Sequence, residues 1–257
     1  MLTTRRDLIA GAAGLAAVSA INSAAHASTT PAVDASVIPE LAPQWKKLDL
    51  ANILRKPAAF ASVSQNNSLY APWGAQAAEK QWERGSLAAT VKAAKAARNA
   101  PNFKSFNWIG YAVFRENYPQ TEFDKVQYES WTQGLNFDDA KKKADNELTP
   151  ELRALVQPGD LEFDELAFQT AFVGTQLPLE LSRKRIEVIV LTGIHTEWCI
   201  EGNARAARDH GYLPIVIGDA TATQKPEQLA GALARINNIF APVISADTFV
   251  RLLGQAT

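Results

Sequence analysis

Cysteine is almost absent: Cys199 stands alone among 257 residues, which excludes an intrachain disulfide. Histidine is nearly as scarce, at His26, His195 and His210. Neither sign of charge predominates, with 26 Lys and Arg against 27 Asp and Glu, a formal net charge of −1 and a pI near 6.3. No basic footprint for a nucleic-acid partner is present. Beyond the first thirty residues no run of about 18 apolar residues occurs, which argues against an integral membrane segment in the remaining chain. What is there is ordinary globular material, 47% hydrophobic and 21% charged, enough for one substantial α/β domain and too little for two.

The amino terminus has its own pattern. Arg5-Arg6 precede a weakly apolar run, Leu8 to Ile21, and then the small-x-small triplet Ala25-His26-Ala27. Residues 1–27 resemble a twin-arginine signal peptide, so we expect a periplasmic or secreted protein with no stable membrane insertion after cleavage. Residues 28–56, with Pro31, Pro39 and Pro43, are expected to form an extended lead-in to a domain over 57–257. A lone thiol in an oxidising compartment is a liability unless it is buried or useful.

Within that domain, strands alternate with helices. Phe60 to Ser64, Phe106 to Phe114, Ile186 to Thr192, Leu213 to Ile217 and Pro242 to Ile244 are apolar or β-branched and read as strands. Ser86 to Arg98 is Ala-rich at helical spacing, with Ser86 as its N-cap. Thr149-Pro150-Glu151 opens a short helix. Glu197 to His210 is helical and stops at Gly211. Pro226 to Ile239 and the segment from Ser245 to Leu253 complete the set. Arg115 to Asp145 reads as polar and irregular, with Trp131 and Phe137 as anchors. This alternation predicts a three-layer α/β/α fold around a mostly parallel sheet.

Cys199 sits where a strand runs into a helix, the end at which parallel sheets place their ligands. The positive end of a helix favours thiolate over thiol, and its unpaired N–H groups suit a developing oxyanion. A free Cys is also often a small core hydrophobe.

The run Gly193-Ile194-His195-Thr196-Glu197-Trp198-Cys199-Ile200, followed by Ala204, Ala207, Gly211-Tyr212 and Asp219-Ala220, resembles the isochorismatase-like superfamily of cysteine hydrolases. Pro158-Gly159-Asp160, Ala171 to Leu177, and Gln65-Asn66 after the first strand extend the resemblance over about residues 57 to 254. It implies a six-stranded parallel sheet, a homo-oligomer and a small-molecule substrate. It further implies a cis bond at Ile194–His195, Cys199 as nucleophile, and an oxyanion hole from the backbone amides of His195 and Cys199. Trp198, Phe172 and Gln65 are expected at the substrate pocket.

Two parts of the pattern are missing. The family's Asp base falls at Val63 and its Lys at Leu166; a one-residue gap puts Glu165 there instead. Neither Val63 nor Leu166 can move a proton, and general-base help is commonly worth about 10²–10⁴ in rate. His195, the pair Glu197 and Glu201, and Glu116 are substitutes to weigh, although Glu201 is expected to face solvent. Some relatives bind zinc through an Asp and two His, but no Asp-x-His cluster occurs here, so no metal or other cofactor is expected. Two functions stay open: a hydrolase of a small amide, imide or carbamoyl compound, and a degenerate member that binds a small molecule without turnover.

Overall fold

The computed structural model describes residues 35–114, 121–165 and 169–255. Six strands, β1 (Ala58–Val63), β2 (Phe103–Gly110), β3 (Leu161–Asp164), β4 (Val188–Ile194), β5 (Leu213–Ala222) and β6 (Val243–Ile244), form one sheet in the order β3-β2-β1-β4-β5-β6. Every neighbouring pair is parallel. Strands covered on both faces need apolar side chains on both, and β1 and β4 are buried at every position.

The pleat divides the core in two. Phe60, Val188, Val190, Ile215 and Ile217 face the helices Ser86–Arg98 and Ala246–Gln255 through Ala93, Ala97 and Phe249. Ala59, Ala61, Val63, Ile189 and Leu191 face the other layer, formed by helices Leu177–Arg183, Glu201–Asp209 and Leu229–Ile239 through Leu181, Ala204 and Leu233. The result is the expected three-layer α/β/α fold.

Strand order reverses between β1 and β4, whose carboxyl ends lie side by side with Val63 opposite Gly193. A Cβ at Gly193 would lie 2.0 Å from the Val63 carbonyl oxygen, and its φ is +112°. Glycine alone lets the two strand ends close up here. This is the crevice in which open α/β sheets hold ligands.

Several local readings change. Gly85, at φ 78°, caps the Ser86–Arg98 helix, while the Ser86 hydroxyl turns inward to Tyr70 Oη at 2.8 Å. β2 starts three residues earlier than its sequence suggests, because Phe103 already packs in the core, and it leaves the sheet after Gly110. The segment read as irregular holds two helices, Glu122–Thr132 with a Thr121–Asp124 capping box and Asp139–Asn146 capped by Asp138. β3, Leu177–Arg183 and the extension of β5 past Ile217 are also additions. The described part of the lead-in is not extended: Leu50–Ile53 forms a helical turn whose Leu50, with Leu54, is buried in the core. Residues 1–27 lie outside the described residues, among which no helix is long and apolar enough to cross a membrane.

Candidate active site

After the Ile194–His195 peptide, which is cis, the chain makes a single π-helical turn, Thr196–Ile200, before the helix Glu201–Asp209. The turn holds Cys199 against the sheet at 5% exposure. Ser64, the first residue after β1, takes a left-handed conformation (φ 55°), and its hydroxyl lies 3.8 Å from Cys199 Sγ. The Glu165 carboxyl group and the His195 backbone also act electrostatically on the sulfur.

Burial pushes the Cys199 thiol well above its ordinary value, and the negative charge of Glu165 pushes it further. The hydrogen bonds from Ser64 and the His195 backbone oppose this without prevailing. The expectation that the helix start would favour thiolate is therefore corrected: desolvation and a neighbouring carboxylate outweigh it.

Glu165 is fully buried. Its Oε1 accepts from Asn203 Nδ2 at 2.7 Å, the same nitrogen donates to the Cys199 carbonyl at 2.8 Å, and Asn203 Oδ1 accepts from the Ala171 amide at 2.9 Å. One buried amide side chain, a helical turn after the cysteine, thus ties the nucleophile's backbone to the acid beside it.

Val63 packs in the apolar cluster that also contains Cys199. Leu166 lies outside the described residues. Their chain neighbours Ser64 and Glu165 supply polar groups that act on the sulfur. Glu116 likewise lies outside the described residues.

On the other side of the site, His195 is buried and its Nε2 lies 2.7 Å from Glu79 Oε2. Gln81 Nε2 donates to the same oxygen at 2.9 Å, and Gln224 Nε2 to Oε1 at 3.4 Å. Burial alone would raise Glu79, but the hydrogen bond and charge of His195, with the two glutamines, hold its carboxyl below the usual range. Glu79 belongs to the three-residue turn Ala77–Glu79 and carries no signature in the sequence.

Cys199, Ser64 and His195 line a cavity with the aromatic side chains Tyr111, Trp131 and Trp198. Its volume is ≈ 20 Å³, far below the roughly 300–1,000 Å³ of small-ligand pockets. Trp198 is thus where the resemblance put it, with its ring 4.8 Å from the His195 ring. Phe172 and Gln65 are not in the lining. Phe172 stacks on His210 and Tyr212, at 4.9 and 6.0 Å between centroids, as part of the apolar core. Gln65 is fully buried, accepting from Ser62 Oγ at 2.8 Å and donating to Tyr70 Oη at 3.2 Å, so its polar atoms are spent on the scaffold. Leu69, Gln76, Tyr111 and Trp131 take part in their place. Glu201 is not solvated as expected: it is 7% exposed and paired with Arg205 and Arg235. Glu197 accepts from the Gln224 amide at 2.9 Å. Among the described residues no three His, Cys, Asp or Glu gather as metal ligands would.

The isochorismatase domain family matches residues 64–248. Over 108 residues the chain is 34% identical to the ureidoacrylate amidohydrolase RutB of Methylobacterium radiotolerans, a match covering 42% of this chain and 39% of that protein. The chain thus spans about two fifths of the length of the curated relatives it matches. A cysteine hydrolase from Pseudomonas syringae pv. phaseolicola superposes with a TM-score of 0.63 at 20% identity, over 78% of this chain and 94% of that one. N-carbamoylsarcosine amidase from Thermoplasma acidophilum does so with a TM-score of 0.56 at 21% identity, over 74% and 96%. The sheet order, the site at its reversal point and the span of the family match lead to one conclusion: this chain belongs to the isochorismatase domain family.

Proposed function

We propose that the protein is a cysteine hydrolase that cleaves a C–N bond in a small amide, imide or carbamoyl compound, with Cys199 as nucleophile and Glu165 as its base. The observation that carries this reading is the buried Glu165 carboxyl group, tied through Asn203 to the Cys199 backbone and raising the Cys199 thiol by its charge. A thiol that is neutral at rest needs a proton acceptor at the moment of attack, and a carboxylate fixed by Asn203 supplies one. As the S–C bond forms, the thiol proton passes to Glu165. As the C–N bond breaks, Glu165 returns it to the departing nitrogen. Water then releases the acyl group. Relatives named for acting on ureidoacrylate and N-carbamoylsarcosine support a small C–N substrate.

The test is ammonia or amine release by the purified protein from a panel of primary amides, cyclic imides and N-carbamoyl amino acids. The reading requires turnover that Cys199→Ala abolishes. A neutral, nearly closed thiol also suits a binder without turnover; ligand-induced thermal stabilisation with no product from wild type would establish that reading instead.

Export belongs to the same proposal and rests on Arg5-Arg6 and Ala25-His26-Ala27. Lysine at both Arg5 and Arg6 should abolish accumulation in the periplasm. Assembly into a homo-oligomer, as the resemblance implies, is read from the solution mass by light scattering.

A further inference from the structure

A second acid–base pair reaches the same cavity through its histidine, and the acylation step does not use it. His195 lines the cavity together with Cys199, and its Nε2 lies 2.7 Å from Glu79 Oε2. An ionised carboxylate only accepts hydrogen bonds, so Nε2 donates to Glu79 and Nδ1 is the ring nitrogen left for proton transfer. Nε2 is fixed by this contact. Glu79 is braced in turn by Gln81 and Gln224, and Arg84 Nη2 donates to its backbone carbonyl at 2.6 Å. The Trp198 ring meets the imidazole edge to face, at 67° between planes. The rotation of the imidazole is set before any ligand arrives.

We propose that His195 is the base of the second half-reaction, taking a proton through Nδ1 from the water that releases the acyl group, with Glu79 as its positioning residue. The inference rests on the acyl-enzyme reading of Cys199. The new bond runs from the water oxygen to the acyl carbon, and the bond that breaks is C–S. One water proton goes to Nδ1 and from there to the departing thiolate, which restores the thiol and neutral imidazole as the carboxylic or carbamic acid leaves. The imidazolium formed in between sits against the Glu79 carboxylate. Glu165 thus serves formation of the acyl-enzyme and His195 its hydrolysis, so neither group performs both proton transfers at the same sulfur.

p-Nitrophenyl acetate tests this without knowledge of the natural substrate. In stopped flow, wild type should give a burst of p-nitrophenolate followed by steady turnover, and Cys199→Ala should give no burst. Glu79→Gln keeps a hydrogen-bonding side chain but loses the charge. It should leave the burst rate within about twofold and slow the steady state by about 10², with kcat and KM falling together and kcat/KM unchanged. An acetyl adduct should accumulate on Cys199 in intact-mass spectra. His195→Gln retains a donor toward Glu79 and should show the same split, which covers the case in which Glu79→Gln does not fold. A burst slowed as much as the steady state, with kcat/KM falling, would reduce the pair to scaffolding and overturn the inference while the nucleophile stands. Absence of a burst from wild type would remove the acyl-enzyme reading and this inference with it.

Discussion

Glu165, fully buried, and Glu79, partly buried, both act on residues of one cavity, and they face opposite kinds of partner. Glu165 is held by a neutral amide, Asn203, and presents its charge to a thiol. Glu79 is held by an imidazole and two amides, which keep it ionised despite burial. The first arrangement raises the proton affinity of the group next to it and makes a proton acceptor useful there. The second fixes a ring. Two residues of one type acquire separate tasks from their surroundings, as carboxylate pairs in hydrolytic sites generally do.

Replacing Glu165 with Gln should break this contrast most severely. Amide turnover should fall by about 10²–10⁴, the usual worth of a general base. The thiol should respond in the opposite sense. Removing a negative charge that raises its pKa lowers that pKa, so the thiolate fraction at a given pH increases and iodoacetamide should alkylate Cys199 faster than in wild type at pH 8. A variant that is both less active and more reactive separates proton transfer from thiolate content. Retained turnover, or slower alkylation, would mean that Glu165 is not the base.

Asn203→Ala sharpens the comparison from the scaffold side. It leaves the Glu165 Oε1, the Cys199 carbonyl and the Ala171 amide without their shared partner. Stranded buried polar groups cost about 1–3 kcal/mol each before relaxation, so a loss on the order of 3 kcal/mol is expected in urea unfolding. Turnover should fall with it, since the acid loses its anchor, while the deacylation assigned to His195 is untouched. A denaturation midpoint equal to that of wild type would show that Asn203 does not bind the two halves of the site together.

The same contrast explains what the sequence revealed. β4 and the Ser86–Arg98 helix were legible because burial on both faces, or on one helical stripe, leaves a periodic apolar record. β3 is an edge strand of four residues, and no residue of Glu122–Thr132 is buried, so neither leaves such a record. Cys199 was legible from its place at a strand-to-helix junction. Glu165 was legible only by allowing the family spacing one residue of slack, which separates a leucine from the acid. Glu79 was invisible, since a three-residue turn has no period and its partner His195 lies 116 residues away. Long-range pairs of this kind are set by the sheet order, not by local pattern.

A third glutamate marks the lower end of the scale. Glu201, on the far side of the Cys199 turn, pairs with Arg205 and Arg235, which are about half exposed. Burial would raise its carboxyl, but the two guanidinium groups hold it below the ordinary value. A depressed folded pKa contributes stability that is fully present above the unfolded value, about 4.3, and is lost as pH falls through the folded one. Glu201→Gln should therefore lower Tm at pH 7, with the deficit closing in acid below about pH 4. Because water and salt reach both arginines, the pairs are worth about 0–1 kcal/mol, or a Tm shift of about 2–4 °C at most, shrinking further in 1 M salt. Unlike Glu165 and Glu79, this acid faces neither the sulfur nor the cavity, so turnover should not change. A loss of activity in Glu201→Gln would show that the turn carrying Cys199 is held from its solvent side as well, and that the division between a chemical and a structural glutamate is less sharp than the burial pattern implies.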